Sequence, residues 1–546
     1  MPPSNLSVAV VAVRLLARPL AALAATCLVH GGAVAAALPA APKTFDTTYA
    51  APSGATLTVA AGGDLQAALD KAQLGDTIVL QAGASWTGPF RLPNKTGGSG
   101  WIYVVSSQLA NLPRPGTRVG PDNAASMPKI LAPRAYSAIV TVPNSHNFRF
   151  AGIEFATVPG VPLVYQVVVI GNSDTSPATL PSHIVFDRCY VHGDPTANHR
   201  RGIEIDGAYV AVVDSYISDL QEIGADSQGL WAYNTTGPIQ IRNNFIEAAG
   251  ENVMFGGADS RDAALVPSDI EIRDNLFFKP LSLIQTQFTV KNLLEFKTAR
   301  RVLVRNNIFQ NSPRKSQTGF ALLITPRNQT GSAPWSVVGD VAVLNNTFIN
   351  VGSGFSINGA DNNHPSQLTE RVLVRNNLMG VTGLNGANGR VFQFGNGGSD
   401  YTIDHNTVIN TAGPPTSQAC CLGMADSKAN KVANLVFTNN ISTRTDYGFF
   451  GSASGQGLAA LNGHFSNWTF SHNVLVDAPG KMYPEGNFFP TGVAAIHFVN
   501  YAGGNYTLEG SSPYKSAGTD GADIGATGAP AVSSIVPSPP TNVVVK

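Results

Sequence analysis

RVLVRNNIF, residues 301–309, decides the fold, because closely similar strings occur again and again along the chain. PIQIRNNFI begins at Pro238, DIEIRDNLF at Asp269, VAVLNNTFI at Val341, RVLVRNNLM at Arg371, YTIDHNTVI at Tyr401, LVFTNNI at Leu435 and WTFSHNVLV at Trp468. Superposed, they put Asn244, Asn275, Asn307, Asn346, Asn377, Asn406, Asn440 and Asn473 in one column, mostly about thirty residues apart, with alternating aliphatic residues just upstream. A fixed period of this length, with one strand-like string per unit, is the signature of a solenoid. A parallel β-helix is the solenoid that stacks one short strand, one turn and one variable loop on the next.

The asparagine column then has two expected duties. Asn tolerates the left-handed backbone of a sharp bend, and its amide can hydrogen-bond to the Asn of the next coil. Inner positions carry Ile, Val, Leu and Phe, while Arg242, Arg273, Arg305 and Arg375 fall on the outside. Weaker copies at His183 (HIVFDRCYV) and Tyr209 (YVAVVDSYI), and short strand-and-turn patterning over 51–142, extend the array to about ten to twelve coils. A propeller blade would repeat every ~40 to 50 residues with four strands, which the observed spacing does not match.

Charged residues are 13% of the chain, Lys plus Arg equals Asp plus Glu at 35 each, and Gly is abundant at 55. With no basic excess, a nucleic-acid partner is not expected. The first forty residues carry Arg14 and Arg18, an Ala-rich apolar run and then small residues before Pro39. This reads as a secretory signal peptide cleaved between Ala35 and Ala41, which predicts an exported protein, extracellular or periplasmic, with no membrane anchor afterwards. The β-helix domain is expected over 41–530, followed by a Pro-rich linker and the start of an incomplete module over 531–546. Stacked coils suffice as a monomer. Cys189 is expected as a buried thiol, and Cys420 and Cys421 as either free or joined to each other.

GGDLQAALDKAQLGDTIVLQAG, residues 62–83, resembles the opening of pectin-lyase-like proteins: a short amphipathic helix with Leu65, Ala68, Leu69 and Ala72 on one face, then the first coil. The resemblance implies an all-β, right-handed parallel β-helix with a short N-terminal capping helix, and a cap is also what an open solenoid end requires. The strings GENVMFGGAD, LEFKTARRVLVRNN and TPRNQTGSAPWSVV resemble a group of secreted bacterial β-helix repeat proteins. VVDSYISD, Glu222, Asp226 and IQIRNNFI together resemble, over roughly fifty residues, the calcium-binding coil of pectate lyases, although Ser215 follows the Asp where that family has an aromatic residue or His. On this resemblance Asp214, Glu222 and Asp226 are the expected Ca²⁺ ligands.

Cleaving a uronate polysaccharide by β-elimination needs the carboxylate beside C5 neutralised, by a metal ion or a cationic side chain, and a base to take the C5 proton. In pectate lyases the base is an arginine or lysine. In NLLEFKTARRVLV, Glu295 and Lys297 share one side of a strand and Phe296 takes the other. Lys297 is therefore the expected base, with Lys291 and Arg300 as clamps on substrate carboxylates. His199 and Arg200, expected in a loop, Glu251 one coil on, and Trp335, able to stack on a sugar ring, are the expected substrate contacts. The same residues allow blander readings: Glu295 and Lys297 as an outer-face ion pair under ~1 kcal/mol, the acidic block as solvated loop.

Two other classes compete with a lyase. An inverting glycosidase needs two carboxyl groups ~6.5 to 9.5 Å apart, which Asp214 with Asp226 or Glu222 with Glu251 can supply, but the polygalacturonase pattern of Asn-x-Asp, Asp-Asp, Gly-His-Gly and Arg-x-Lys is absent. A noncatalytic glycan-binding or surface-structural β-helix would use the long loops and aromatic residues equally well. Convergence of Glu222, Asp226, Glu251, Lys291 and Lys297 in one patch is the discriminator.

Overall fold

The computed structural model describes residues 36–171, 174–412 and 420–528. Most of the expected signal peptide and the whole of the expected C-terminal linker lie outside these residues. The chain winds as a right-handed parallel β-helix of three long sheets, one with 14 strands and two with 13. One coil shows the plan: Ser268–Arg273 lies in the fourteen-stranded sheet, Leu276–Phe278 in the second sheet and Leu294–Phe296 in the third. Neighbouring strands within these sheets pair in parallel, apart from the short antiparallel pair of Phe449–Gly451 with Gly455–Gln456 that ends the third sheet. The weakly patterned stretch before His183 supplies the first rungs. Among the described residues no helix is long and apolar enough to cross a membrane.

Alternation within each strand builds the core. Ile270, Ile272, Val302, Val304, Val341 and Val343 point inward and are fully buried, while the residues between them face out. Phenylalanines stack from coil to coil, as Phe277, Phe309 and Phe348 do at centroid separations of 4.5 and 4.7 Å. Burying each such side chain contributes roughly 1.5–3 kcal/mol. The helix Leu65–Lys71 closes the N-terminal end with Leu65, Ala68 and Leu69 against the first coils, its N-terminus capped by Asp64. At the other end, the helix Leu458–His464 covers the last coil with Ala460 and Leu461.

The asparagine column forms the expected ladder. Each Nδ2 donates to the Oδ1 of the next Asn at 2.9–3.0 Å from Asn244 through to Asn473, and Asn487 continues it at 3.0 Å. Ser215 and Cys189 occupy the same column upstream, where Cys189 N–H bonds to Ser215 Oγ and Ser215 N–H to Asn244 Oδ1. The left-handed backbone, however, belongs to the preceding residue. Asn243, Asp274, Asn306, Asn345, Asn376, His405, Asn439 and His472 have φ between 51° and 60°, and the ladder asparagines do not. The two duties are therefore split between neighbours: one residue makes the corner at the surface, and the next turns its amide inside.

An extended segment following residue 36 lies across the outer face of the fourteen-stranded sheet, running against the direction in which the coils accumulate. The backbone N–H groups of Ala37, Ala40 and Lys43 donate to the carboxylates of Asp400, Asp340 and Asp269 at 3.0–3.1 Å. These aspartates are on every second strand of the sheet. Three extended residues advance roughly 9.3 Å and two strands about 9.6 Å, so strap and sheet keep step. Cys189 is buried, and its burial pushes the thiol up to about 12; Cys420 and Cys421 are joined by a disulfide.

Candidate functional site

On the outer face of the third sheet, two columns of side chains run across consecutive strands, one over all five and one over the first four of Leu163–Ile170, Asn198–Ile205, Gln228–Ala232, Glu251–Phe255 and Leu294–Phe296. Val169, Glu204, Trp231, Met254 and Glu295 are in register along the first column, and Gln166, Arg201, Gln228 and Glu251 along the second. The columns are separated by two inward residues rather than one. Asn252 and Val253, for example, are both fully buried, and a Cβ on Gly202 would meet Leu220 and Ile217 of the interior. This local break in alternation brings Glu251 and Met254 to the same face.

The polar members form a chain of contacts. Arg201 Nε donates to Gln228 Oε1 at 2.9 Å, and Gln228 Nε2 donates to Glu251 Oε2 at 2.8 Å. Arg201 also lies over the Trp231 ring at 3.8 Å. Lys291 Nζ donates to Asp226 and lies 3.5 Å from Glu251 Oε1. Lys297 Nζ is 3.6 Å from Glu295 Oε1, too far for a hydrogen bond. Glu251 Oε1, Glu295 Oε2 and both amide atoms of Asn292 are buried without a hydrogen-bond partner among the described residues. Burial, reinforced by the Glu295 and Asp226 carboxylates and opposed by Lys291 and Lys297, pushes Glu251 up to about 7. Burial lowers the affinity of Lys291 for its proton, but Glu251 and Asp226 outweigh it and raise the ammonium above its ordinary value.

A buried cation supports this floor. Lys279, fully enclosed, donates to the carbonyls of Ala248, Ala249 and Gly250 and, at 2.9 Å, to Asn252 Oδ1. It therefore fixes the turn that delivers Glu251. Burial pulls this ammonium down to about 7 against the pull of Glu251 and Glu247. In the sequence Lys279 is a cation following LFF, with nothing to distinguish it from a surface residue; Asn292 likewise carried no signal.

Of the residues expected from sequence, Asp226, Glu251, Lys291 and Lys297 come together here. Arg200 and Glu222 form a separate bidentate pair at 2.6 and 2.7 Å, with Arg200 over the Tyr165 ring at 4.8 Å. The others lie elsewhere. Asp214 is at a corner following the fourteen-stranded sheet, where its carboxylate accepts Gly116 N–H and an Asn243 amide hydrogen. With Asp214 there, Glu222 on Arg200 and Asp226 on Lys291, the three expected Ca²⁺ ligands do not form a set, and the described residues hold no group of three His, Cys, Asp or Glu side chains placed for a metal. The residues present do not fit the calcium site that the sequence resemblance implied. His199 is in a strand, not a loop, and is fully buried with Nε2 3.3 Å from Thr157 Oγ1, beyond reach of a substrate. Arg300 belongs to the fourteen-stranded sheet, so it does not join the lysines as a clamp. Trp335 is on the loop after Phe320–Ile324, its indole donating to Ser260 at 3.0 Å.

A scan of known protein families and a search of curated proteins both return no significant match. Among solved structures, the PL6 family alginate lyase AlyGC is similar at 14% identity and a TM-score of 0.51, over 87% of this chain and 59% of that one. This chain thus has the pectate-lyase-like parallel β-helix fold. A mannuronic acid specific family 6 polysaccharide lyase from human gut microbiota (12% identity, TM-score 0.43, covering 81% and 84%) and pectate lyase Pel9A (13%, 0.33, 87% and 96%) are further structural neighbours. At such identities the likeness concerns the fold, and this chain spans about 59% of the length of AlyGC.

Proposed function

We propose that the protein is an exported polysaccharide lyase that cleaves an acidic, uronate-containing polysaccharide by β-elimination. The observation that carries the reading is the pairing of two inequivalent lysines on one sheet face with buried, unsatisfied acid and amide groups between them. Unsatisfied polar atoms of this kind are costly, about 1–3 kcal/mol each, and their concentration beside two cations supports a place built for something other than stability. Solved enzymes of the same fold include one named for alginate, which agrees with the substrate class.

The roles follow from how tightly each group is held. Lys291 is anchored by Asp226 and Glu251 and meets the substrate carboxylate, lowering the cost of removing the adjacent proton. Lys297, whose side-chain nitrogen makes no hydrogen bond among the described residues, is the group free to act as base: after giving a proton to solvent, it takes the C5 proton. The C5–H electrons form the C4=C5 double bond as the C4–O bond breaks. The leaving oxygen takes its proton from water, because Glu251 is fully buried and serves to hold Lys291. No metal enters this sequence.

The test is the ultraviolet absorbance of unsaturated uronate product on alginate, polygalacturonate and other acidic polysaccharides, for the native protein and Lys297→Ala. The expected result is product from at least one polymer, lost in the variant. Absence of product and of new reducing ends on every polymer would refute the lyase reading and favour a glycan-binding β-helix.

A further inference from the structure

The same two columns continue past the lysines toward the N-terminal end, and there they floor a cavity of about 220 Å³. Its floor is the extension of the first column, with Val140, Val169 and Glu204 in register. Tyr136 and Tyr165 line it, 63% and 47% exposed. Large aromatic side chains this exposed, two at one cavity, contrast with the rest of the face, where Trp231, Tyr233 and Met254 are buried against one another. Tyr165 is braced by the Arg200 guanidinium, itself locked onto Glu222. Beneath the tyrosines Gln166 Nε2 donates to Glu204 Oε2 at 2.9 Å, and Glu204 is only 5% exposed. The cavity thus offers flat apolar rings above a buried amide and carboxyl pair.

Those surfaces suit a pyranose ring. Its C–H face stacks on an aromatic side chain, and its hydroxyls are met by neutral or anionic oxygen acceptors and amide donors. A carboxylate-bearing face is disfavoured by Glu204. The distance is informative too: two strands lie between Leu163–Ile170 and Glu251–Phe255, so three strand steps, roughly 14 Å at the usual spacing, separate them. One sugar ring cannot occupy both places, whereas a chain laid along the sheet can.

Building on the lyase reading above, we propose that the Tyr136–Tyr165 cavity is a remote subsite that binds a sugar ring of the same polysaccharide through its hydroxyls and C–H face, making the protein selective for long chains. Arg200, expected from sequence as a direct substrate contact, acts here by holding Tyr165 in place.

Calorimetric titration of the Lys297→Ala protein with alginate and polygalacturonate, each as trisaccharide and as long fragments, tests this. Long fragments are expected to bind about tenfold more tightly than the trisaccharide. In the added double variant Tyr136→Ala/Tyr165→Ala that advantage disappears while trisaccharide affinity is unchanged, and Tyr165→Phe preserves it. An advantage for long fragments that survives the double variant overturns the subsite. Length-dependent binding that is lost in the double variant, when the native protein with Lys297 in place releases no unsaturated product, upholds the subsite and refutes the lyase reading. Absence of binding to every fragment overturns both.

Discussion

Two outer faces of this solenoid carry columns of charge, and they are built to opposite ends. On the fourteen-stranded sheet acids and bases alternate from strand to strand. Arg301 forks onto Asp269 and Arg371 onto Asp340, each with its closest contact at 2.6 Å, and the remaining acceptor capacity of Asp269, Asp340 and Asp400 goes to the strap. On the third sheet the charges are also paired, but Glu251, Asn292 and Glu295 are left with buried atoms that nothing among the described residues satisfies. A column of charges is therefore no mark of function in itself. What separates these two columns is that the one under the strap uses its acceptors on the strap and the other keeps acceptors open.

Four changes break or sharpen this contrast. The largest loss of stability is expected inside, at the ladder that both faces depend on. Asn307→Ala removes the acceptor for Asn275 and the donor to Ile272 carbonyl and Asn346, at a cost of about 3 kcal/mol in denaturant unfolding, since several buried groups lose partners together. Next comes the third sheet: Lys297→Ala is expected to lower turnover at least ~100-fold with an unchanged unfolding midpoint, because its ion pair is loose. A large stability loss without a change in turnover would assign Lys297 to structure.

Glu251 tests the same face through pH. Its folded value, about 7, lies above the ~4.3 of an unfolded glutamate, so the folded state binds the proton more tightly. That contribution is complete below about pH 4.3 and is lost as pH rises to about 7. Unfolding measured across this window should show declining stability in the native protein and a flatter profile in Glu251→Gln. The smallest effect belongs to the completed face. Arg371→Ala breaks a half-exposed pair and should cost under ~1 kcal/mol while leaving activity intact.

The sequence made the coils legible because the interior repeats: alternating aliphatics and one amide per turn leave a period that survives every loop. It made Glu295 and Lys297 legible for the same reason, as Phe296 has to face the core. What it could not show was where the chain changes sheet. Asp214 and Asp226 are twelve positions apart in sequence, yet one sits at a corner after the first sheet and the other beside the third. Linear clustering of acids therefore suggested a cage that the winding takes apart. His199 was misplaced by the same kind of event, because the paired inward residues Gly202 and Ile203 interrupt the alternation a few positions later. In the Asn-Asn doublets the pattern located the corner but could not say which of two identical residues bends and which bonds.

The strap along the fourteen-stranded sheet has a consequence for how such a molecule can change length. Its anchors come every third residue and their aspartates every second strand, with an arginine or other side chain between. Duplicating a single coil between Asp269 and Asp400 would put an arginine where the strap needs an acceptor and would leave the strap half a step out of phase. Growth in this stretch is quantised: two coils and three strap residues together, or none.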